Sequence, residues 1–563
     1  MATTLENVPV KYTDLISDIE TGQVKIPQFQ RKFVWGIKAS ASLIDSILKG
    51  YPIGTFIFWR TNERLRSVRN IGNINLPEPT DGEYVNFVLD GQQRLTSLFA
   101  AIKGVTIQDD DGNAIDYSSI YLDLAAESDS EIVIIDVDGR NEKDVIRLTD
   151  LMQGGLTKLA SYPEQHHDRI EHYKNVLTGY TFSVINLKNA PIEVATEVFE
   201  RLNVGGKALT LFEIMVAKTY HIFLDNGEEA KPPFDLSEAY DNLLEELKDA
   251  QYDTVPTATV LQVVAILLAK DCTRKSILKL DKMRFIAIWP EAVECIKNSI
   301  DFFGSYGIVV GRILPYNALI VPFSYFFHKH KQNPTGDMKK QLIDFFWRAS
   351  LGFRYSSGVE SKLAQDIEKI DQILAGKHPR YEWSVDTSES FIREHGTFST
   401  GRSLIKAVLC LFAQHNPKAF DTDLVVHIDN QYLKRSNSRN YHHFFPRSYM
   451  TKHQPQWEQW QVNHVANITL INDDLNKNKI RAKAPSVYMK TFGEENSGLA
   501  ETMKTHLIDD LDGYGIWNDD YKTFFDKRVQ RISAELNARI IPQRSEQPLE
   551  VYQDIEEPEE AEG

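Results

Sequence analysis

The sequence predicts an α/β N-terminal domain, a mostly α-helical middle domain and an α-rich C-terminal domain built around a short irregular core. Three observations predict this. In residues 1–225, short β-rich runs such as Thr55–Trp59, Tyr84–Leu89 and Phe182–Leu187 alternate with helical patterns. Residues 226–400 carry long helical patterns with few strand signals. From 401 to 543, helical patterns flank an irregular stretch around His442–Asn476. At 563 residues the chain is too long for one hydrophobic core, so several domains are expected.

Each element has a local cause. In Ser40–Lys49 the apolar residues Leu43, Ile44, Ile47 and Leu48 fall at helical spacing, and Gly50 with Pro52 ends the helix. The run Val85–Leu89 reads as a strand, then Asp90-Gly91-Gln92-Gln93-Arg94, then a helix with Leu95, Leu98, Phe99 and Ile102 on one face. The helical run Ile192–Leu202 leads into Asn203-Val204-Gly205-Gly206-Lys207, and Thr210-x-x-Glu213 reads as a capping box opening another helix. The apolar runs Val260–Ala269 and Ala318–Phe327 are about half the roughly 20 residues a membrane span needs, so they read as buried helices and no membrane partner is expected. Phe345, Phe346 and Trp347 are consecutive and cannot all face one groove, so with Arg348, Phe353, Arg354 and Tyr355 they read as packing before base stacking.

Cys272, Cys295 and Cys410 are scattered, with no CxxC, and no secretory leader is visible, which points to a reducing cytoplasm. The net charge of −16 is unevenly spread. Residues 544–563 hold eight acidic side chains and one basic, and the expectation for this stretch is an acidic disordered tail. By contrast Lys434, Arg435, Arg439, Arg447 and Lys452, and then Lys477, Lys479, Arg481 and Lys483, flank the irregular core on both sides. Local basic surface of this kind attracts a phosphate backbone.

Two loops have the chemistry to hold phosphates. A strand–Gly–helix junction at Asp90–Arg94 leaves unpaired amides at a helix start, where the dipole also favours anions. Arg94 adds a fork of charge-assisted donors, and Asp90 suits a metal ion, a water or a plain helix cap. Gly205 and Gly206 supply the positive φ angles that turn amides around an anion. Taken alone, such turns are more often structural, and there is no GxxxxGK[ST].

Ile26-Pro27-Gln28-Phe29-Gln30-Arg31, Trp35, Tyr51-Pro52-Ile53-Gly54, Asp90–Arg94 and Phe199–Asn203 with Gly205-Gly206 occur in the order of the DGQQR family. That family's fold is similar to ParB and sulfiredoxin nucleotidases, and the resemblance covers roughly residues 10–225. It implies binding, and often hydrolysis, of a nucleoside triphosphate, GTP or ATP. Carried over to this chain it points to Gln30, Arg31, Asp90, Gly91, Gln92, Gln93, Arg94, Asn203 and Lys207.

The C-terminal core has its own chemistry. Tyr441-His442-His443-Phe444-Phe445-Pro446 puts adjacent histidines at the end of a predicted strand, where neighbours face opposite ways and do different jobs. Asn467 follows, then Asn476 on a predicted helix. Phosphodiester hydrolysis needs a base for water, which a neutral imidazole suits, and a cation for developing charge, which a His and an Asn can hold. HHxxP, Asn-x-x-Leu and the spacing to Asn476 resemble the His-Asn-His, or ββα-metal, nuclease motif. The resemblance makes His442 and Asn476 metal ligands, His443 the general base, Asn467 the loop-fastening asparagine and Lys479 a contact to the scissile phosphate. Many relatives carry Asp where His442 stands, and a His there shifts preference from Mg²⁺ toward Mn²⁺, Ni²⁺ or Zn²⁺. His453 and His464 read as surface or packing residues.

The two motifs in one chain are similar to the fused GmrSD-type modification-dependent type IV restriction enzymes, and to SspE and BrxU. That resemblance implies phage defence, with NTP-regulated cleavage of modified double-stranded DNA. A nucleotide-regulated DNA-binding or signalling protein without cleavage and an RNA-directed nuclease toxin are the alternatives, and a homodimer is compatible with either.

Overall fold

The computed structural model describes residues 4–27, 33–62, 67–69, 76–77, 83–108, 114–126, 130–202, 210–220, 234–429, 441–472, 475–543 and 550–554. The chain divides into two compact units, Met1–Leu236 and Ser237–Gly563.

The first unit is built on a mixed six-stranded sheet. It uses β1 (Thr4–Lys11), β2 (Val24–Pro27), β3 (Phe56–Thr61), β4 (Ser67–Arg69), β5 (Val85–Asp90) and the strand Thr181–Lys188. Their order is β1, Thr181–Lys188, β3, β5, β2, β4. β1 runs antiparallel to Thr181–Lys188 over its whole length, from Thr4 opposite Lys188 to Lys11 opposite Thr181. Thr181–Lys188 is parallel to β3, β3 antiparallel to β5, and β5 parallel to β2. This places the C-terminal end of β5 in the middle of the sheet, where the chain turns into the next helix.

The helices α1 (Tyr12–Glu20), α2 (Ile37–Leu48) and α3 (Gln92–Lys103) cover the sheet. α2 buries Leu43, Ile44, Ile47 and Leu48, the stripe its sequence spacing predicts, and Gly50 leaves the helix at φ +72°. α3 buries Leu95, Leu98, Phe99 and Ile102. The capping box at the helix Leu211–Thr219 is formed: Glu213 N–H donates to Thr210 Oγ1 at 3.2 Å, and Thr210 N–H donates to Glu213 Oε2 at 2.7 Å.

In the second unit the apolar runs become the buried helices Thr257–Ala269 and Ile320–Lys329, packed with Lys282–Ser305, Gly336–Leu351 and Val359–Leu374. Phe345, Phe346 and Trp347 are all core, with Phe303, Phe323 and Phe346 ring to ring. Arg354, expected beside them as a basic residue, is buried against Asp366 at 2.9 Å. Among the described residues, no helix is long and apolar enough to cross a membrane.

Residues 237–400 and 401–543, expected as parts of separate domains, fall in the same compact unit, and the segment at Gly396–Gly401 is hydrogen-bonded to the later region. Val465 N–H donates to Gly396 O at 2.8 Å, Phe398 N–H to Asn463 O at 2.9 Å, and Thr397 bridges His464. The acidic stretch 544–563, expected to be disordered, is in part docked. Glu550 N–H donates to Glu382 O at 2.7 Å, because an extended backbone segment satisfies its amides against the exposed edge at Trp383.

Candidate nuclease centre and phosphate-binding turn

Tyr441–His443 pairs antiparallel with Ile468–Leu470, setting His442 opposite Thr469 and His443 opposite Ile468. After this two-strand ribbon the chain makes one wide turn of π-helix, Leu475–Ile480, closed by Arg481 N–H to Asn476 O at 3.0 Å. Wide turns of this kind are rare and are frequent at functional sites.

Asn467 fixes the loop between the strands. Its Oδ1 accepts from Phe445 N–H at 2.8 Å, and its Nδ2 donates to Phe445 O at 3.1 Å and Val462 O at 2.9 Å. The side chain is fully buried, so those three groups have no water to fall back on. Tyr488 adds a hydrogen bond from its hydroxyl to Phe444 O at 2.5 Å.

The paired histidines point to different neighbours, as strand alternation requires. His442 is 1% exposed, its ring against Phe420, Phe444 and Tyr488. Its Nδ1 lies 3.1 Å from Asn476 Oδ1. Burial first, and then the neighbouring His443, pushes its pKa down to about 3, so the ring is neutral at physiological pH. His443 is partly exposed, and its Nε2 lies 2.9 Å from Asn463 Oδ1. The Asn463 amide is oriented by its own Nδ2, which donates to Phe398 O at 3.2 Å. This network gives His443 an Nε2–H donor and leaves the lone pair on Nδ1. Burial lowers its pKa to about 4, so it too is neutral.

The donor set fits a divalent ion of the softer kind. Without an ion, His442 Nδ1–H donates to the Asn476 amide oxygen. His442 Nδ1 and Asn476 Oδ1, 3.1 Å apart, are the two atoms that would hold a divalent cation, and such an ion would stabilise charge on a phosphate. One imidazole and one amide bring no negative charge, so an ion held there would depend on an anionic substrate for charge balance. His442 Nε2 is buried and, among the described residues, has no hydrogen-bond partner, so it would carry the ring proton without an acceptor behind it if Nδ1 held an ion.

Lys479, expected at the scissile phosphate, is partly exposed and paired with two carboxylates. Its ammonium donates to Asp421 Oδ2 at 2.8 Å and Glu495 Oε2 at 2.9 Å, because two carboxylates converge on it from neighbouring segments. Arg447, Lys452, Arg481 and Lys483 are exposed. Lys434, Arg435 and Arg439 lie outside the described residues, as does the side chain of Lys477. His464 is a buried packing residue, donating from Nε2 to Ile392 O at 3.0 Å and accepting Ala466 N–H at Nδ1 at 3.1 Å.

Sequence reasoning missed three supports. Asn463 looks like any turn asparagine, with no spacing signal. Arg528, 1% exposed, reaches from the helix Tyr521–Asn537 to donate to Ala466 O at 3.1 Å, Ile468 O at 2.8 Å and His506 O. Gly396 leaves room for the His464 ring, which a Cβ would strike.

In the first unit, β5 ends at Asp90 and Gly91 turns at φ +92° into α3. A Cβ on Gly91 would lie 2.5 Å from the Phe56 ring, so glycine is required twice over. The first amides of α3 have no intrahelical acceptor, which suits an anion. Gln92 is 5% exposed, and among the described residues its Oε1 has no hydrogen-bond partner. Gln93 Oε1 accepts from Val34 N–H at 2.9 Å and Trp35 N–H at 3.3 Å. Arg94, expected to grip a polyphosphate, donates instead to Ile53 O at 2.7 Å, Thr55 O at 3.1 Å and Asp90 Oδ2 at 3.0 Å. Its fork meets the carbonyls of Ile53 and Thr55 on either side of Gly54, so it braces the loop. Gln30, Arg31, Asn203 and Lys207 lie outside the described residues.

Residues 12–220 match the family described as GmrSD restriction endonuclease, N-terminal domain. The chain is also similar to the uncharacterized protein MJ0686 of Methanocaldococcus jannaschii, 27% identical over 551 residues, covering 88% of this chain and 90% of that one. A match of that extent runs through both units.

Proposed function

We propose that this chain is a defence endonuclease that hydrolyses DNA phosphodiester bonds at His442, His443, Asn467 and Asn476, under the control of a nucleoside triphosphate bound at the Asp90–Arg94 turn. The observation that carries the reading is the arrangement of the two histidines. One is a buried neutral imidazole 3.1 Å from the Asn476 oxygen, and the next residue is a partly exposed imidazole whose tautomer is set by Asn463. The family match of residues 12–220 supports a restriction-type setting, with DNA as the partner.

In this scheme His443 Nδ1 accepts a proton from the attacking water while Nε2–H stays on the Asn463 oxygen, which steadies the imidazolium as it forms. His442 Nδ1 and Asn476 Oδ1 hold the divalent ion, which when bound stabilises charge on the phosphate and the leaving oxygen. Asn467 acts on the loop that carries both histidines and touches no substrate. Arg447, Lys452, Arg481 and Lys483 provide basic surface for the flanking backbone. In the first unit, the amides at the start of α3 receive phosphate and Arg94 keeps the turn in shape; the family resemblance assigns Gln30, Arg31, Asn203 and Lys207 to the same nucleotide. Nucleotide, or a modified base, controls cleavage only by binding one conformation of the chain better than another.

The experiment is cleavage of matched plain, glucosylated-hydroxymethylcytosine and phosphorothioate plasmids in Mn²⁺ and Mg²⁺, with and without GTP or ATP, beside a tRNA control. Cutting that EDTA abolishes, and that one modification and one nucleotide enhance, is the expected result. Intact DNA under every condition removes the nuclease reading, and preferential loss of tRNA redirects it to RNA.

A further inference from the structure

Residues 550–554 lie extended across part of the Ser237–Gly563 unit. Glu550 N–H donates to Glu382 O at 2.7 Å, and Glu550 O accepts from Ser384 N–H at 2.8 Å. The side chains alternate: Val551 and Gln553 are exposed, whereas Tyr552 and Asp554 turn inward. The Asp554 carboxylate, 3% exposed, sits at the start of the helix Ser403–Gln414. Its Oδ1 accepts from Ser403 N–H at 3.2 Å and Ser403 Oγ at 2.8 Å, and Arg402 Nε is 3.2 Å from Oδ2. Lys362 Nζ stands 3.7 Å from the centre of the Tyr552 ring, and Arg354 Nη1 donates to the Tyr552 hydroxyl at 2.9 Å.

Two features set this apart from ordinary packing. The Lys362 side chain is nine-tenths buried and, among the described residues, its ammonium has no hydrogen-bond acceptor; it faces the Tyr552 ring, with the charges of Arg354, Glu550 and Asp366 nearby. A buried ammonium carries three donors, and leaving them unused is costly unless another ligand supplies acceptors at the same place. Independently, a helix-start amide, a hydroxyl and an arginine around one carboxylate form a receptor for a phosphate oxygen. A ring on a cation beside an anion at a helix start is the outline of a nucleotide within a strand. Every second residue of the strap, Val551 and Gln553, is in solvent, so its hold on the unit rests on Glu550, Tyr552 and Asp554.

We propose that Lys362, Arg354, Arg402 and Ser403 form a binding groove for a single nucleic-acid strand, and that residues 550–554 occupy it until such a strand displaces them. One base rests on Lys362 and Arg354, and one phosphate replaces the Asp554 carboxylate. The choice of nucleic acid as ligand rests on the nuclease reading. While docked, the acidic strap also repels an approaching backbone.

The test uses the full chain in EDTA with a fluorescein-labelled 20-nucleotide single strand. Tyr552→Ala with Asp554→Ala empties the groove without removing a cation and tightens binding about tenfold; adding Lys362→Ala reverses the gain. In the wild-type protein, saturating oligonucleotide speeds hydrogen exchange at the Glu550 and Ser384 amides. If the double substitution lowers the melting temperature, Asp554→Asn, which keeps the shape and drops the charge, takes its place. Unchanged affinity, a gain that survives Lys362→Ala, or exchange that is unchanged or slower overturns the proposal. Plasmid cutting in Mn²⁺ is scored separately. Strap displacement in a chain that never cuts would remove the nuclease reading alone, and cutting without displacement would remove the groove alone.

Discussion

Replacing Asn467 by alanine removes three hydrogen bonds from a loop that has no other way to make them. Phe445 N–H loses its acceptor, and Phe445 O and Val462 O lose their donors, all in a fully buried setting. A net loss of about 1 kcal/mol per bond, raised by the cost of stranded buried groups, gives about 3–5 kcal/mol. Asn467→Asp is expected to do at least as much harm, because a carboxylate keeps the acceptor and presents negative charge to the two carbonyls. Native-state hydrogen exchange at Phe445 reads this locally, so it does not require a single cooperative transition from a chain of two units. With 1.4 kcal/mol per factor of ten, the Phe445 amide is expected to exchange at least about a hundredfold faster in either variant. DNA cleavage is expected to fall with it, since both histidines depend on this loop. Exchange within about threefold of wild type would refute the assignment of Asn467 as the loop fastener.

Arg528→Met strips the donors from Ala466 O, Ile468 O and His506 O, and a loss of about 3 kcal/mol is expected in urea denaturation; a shift below 1 kcal/mol would remove the brace. Gly396→Ala drives a methyl into the His464 ring and is expected to cost about 1–3 kcal/mol, while a neutral result would mean that ring can move away. His464 and His506 are held neutral by burial, their pKa values pushed from 6.5 down to about 4. The unfolded chain takes up these protons near pH 6.5 and the folded chain does not, so stability is full above that value and falls as pH drops toward 4. The expected slope is about 1.4 kcal/mol per pH unit for each ring, and a urea midpoint that stays flat from pH 7 to 5 would contradict it.

Much of the architecture was written in local pattern. The strands at Phe56–Thr61, Val85–Asp90 and Thr181–Lys188, the helix stopped by Gly50 and the capping box at Thr210 all follow from spacing and turn chemistry. The convergence of His442 with Asn476 was legible from motif order, because a two-strand ribbon and one helical turn bring those positions together. What was not legible depends on long-range partners. Arg94 and Lys479 have the charge to meet phosphate, but which acceptor each finds is decided by Ile53 and Thr55 in one case and by Asp421 and Glu495 in the other. Asn463 and Arg528 act through segments far away in the chain, at Phe398 and His506. The docked strap escaped for the same reason: an acidic composition signals solvation, and only the buried cations at Lys362 and Arg354 reveal a surface that holds it.

Single-turnover cleavage of DNA by His443→Ala in Mn²⁺ tests the central claim most directly. Loss of a positioned general base is expected to slow strand scission by about 10²–10⁴-fold, with Phe445 exchange unchanged to show that the loop still stands. Cleavage within a few-fold of the wild-type rate would mean that the imidazole held by Asn463 is not the base.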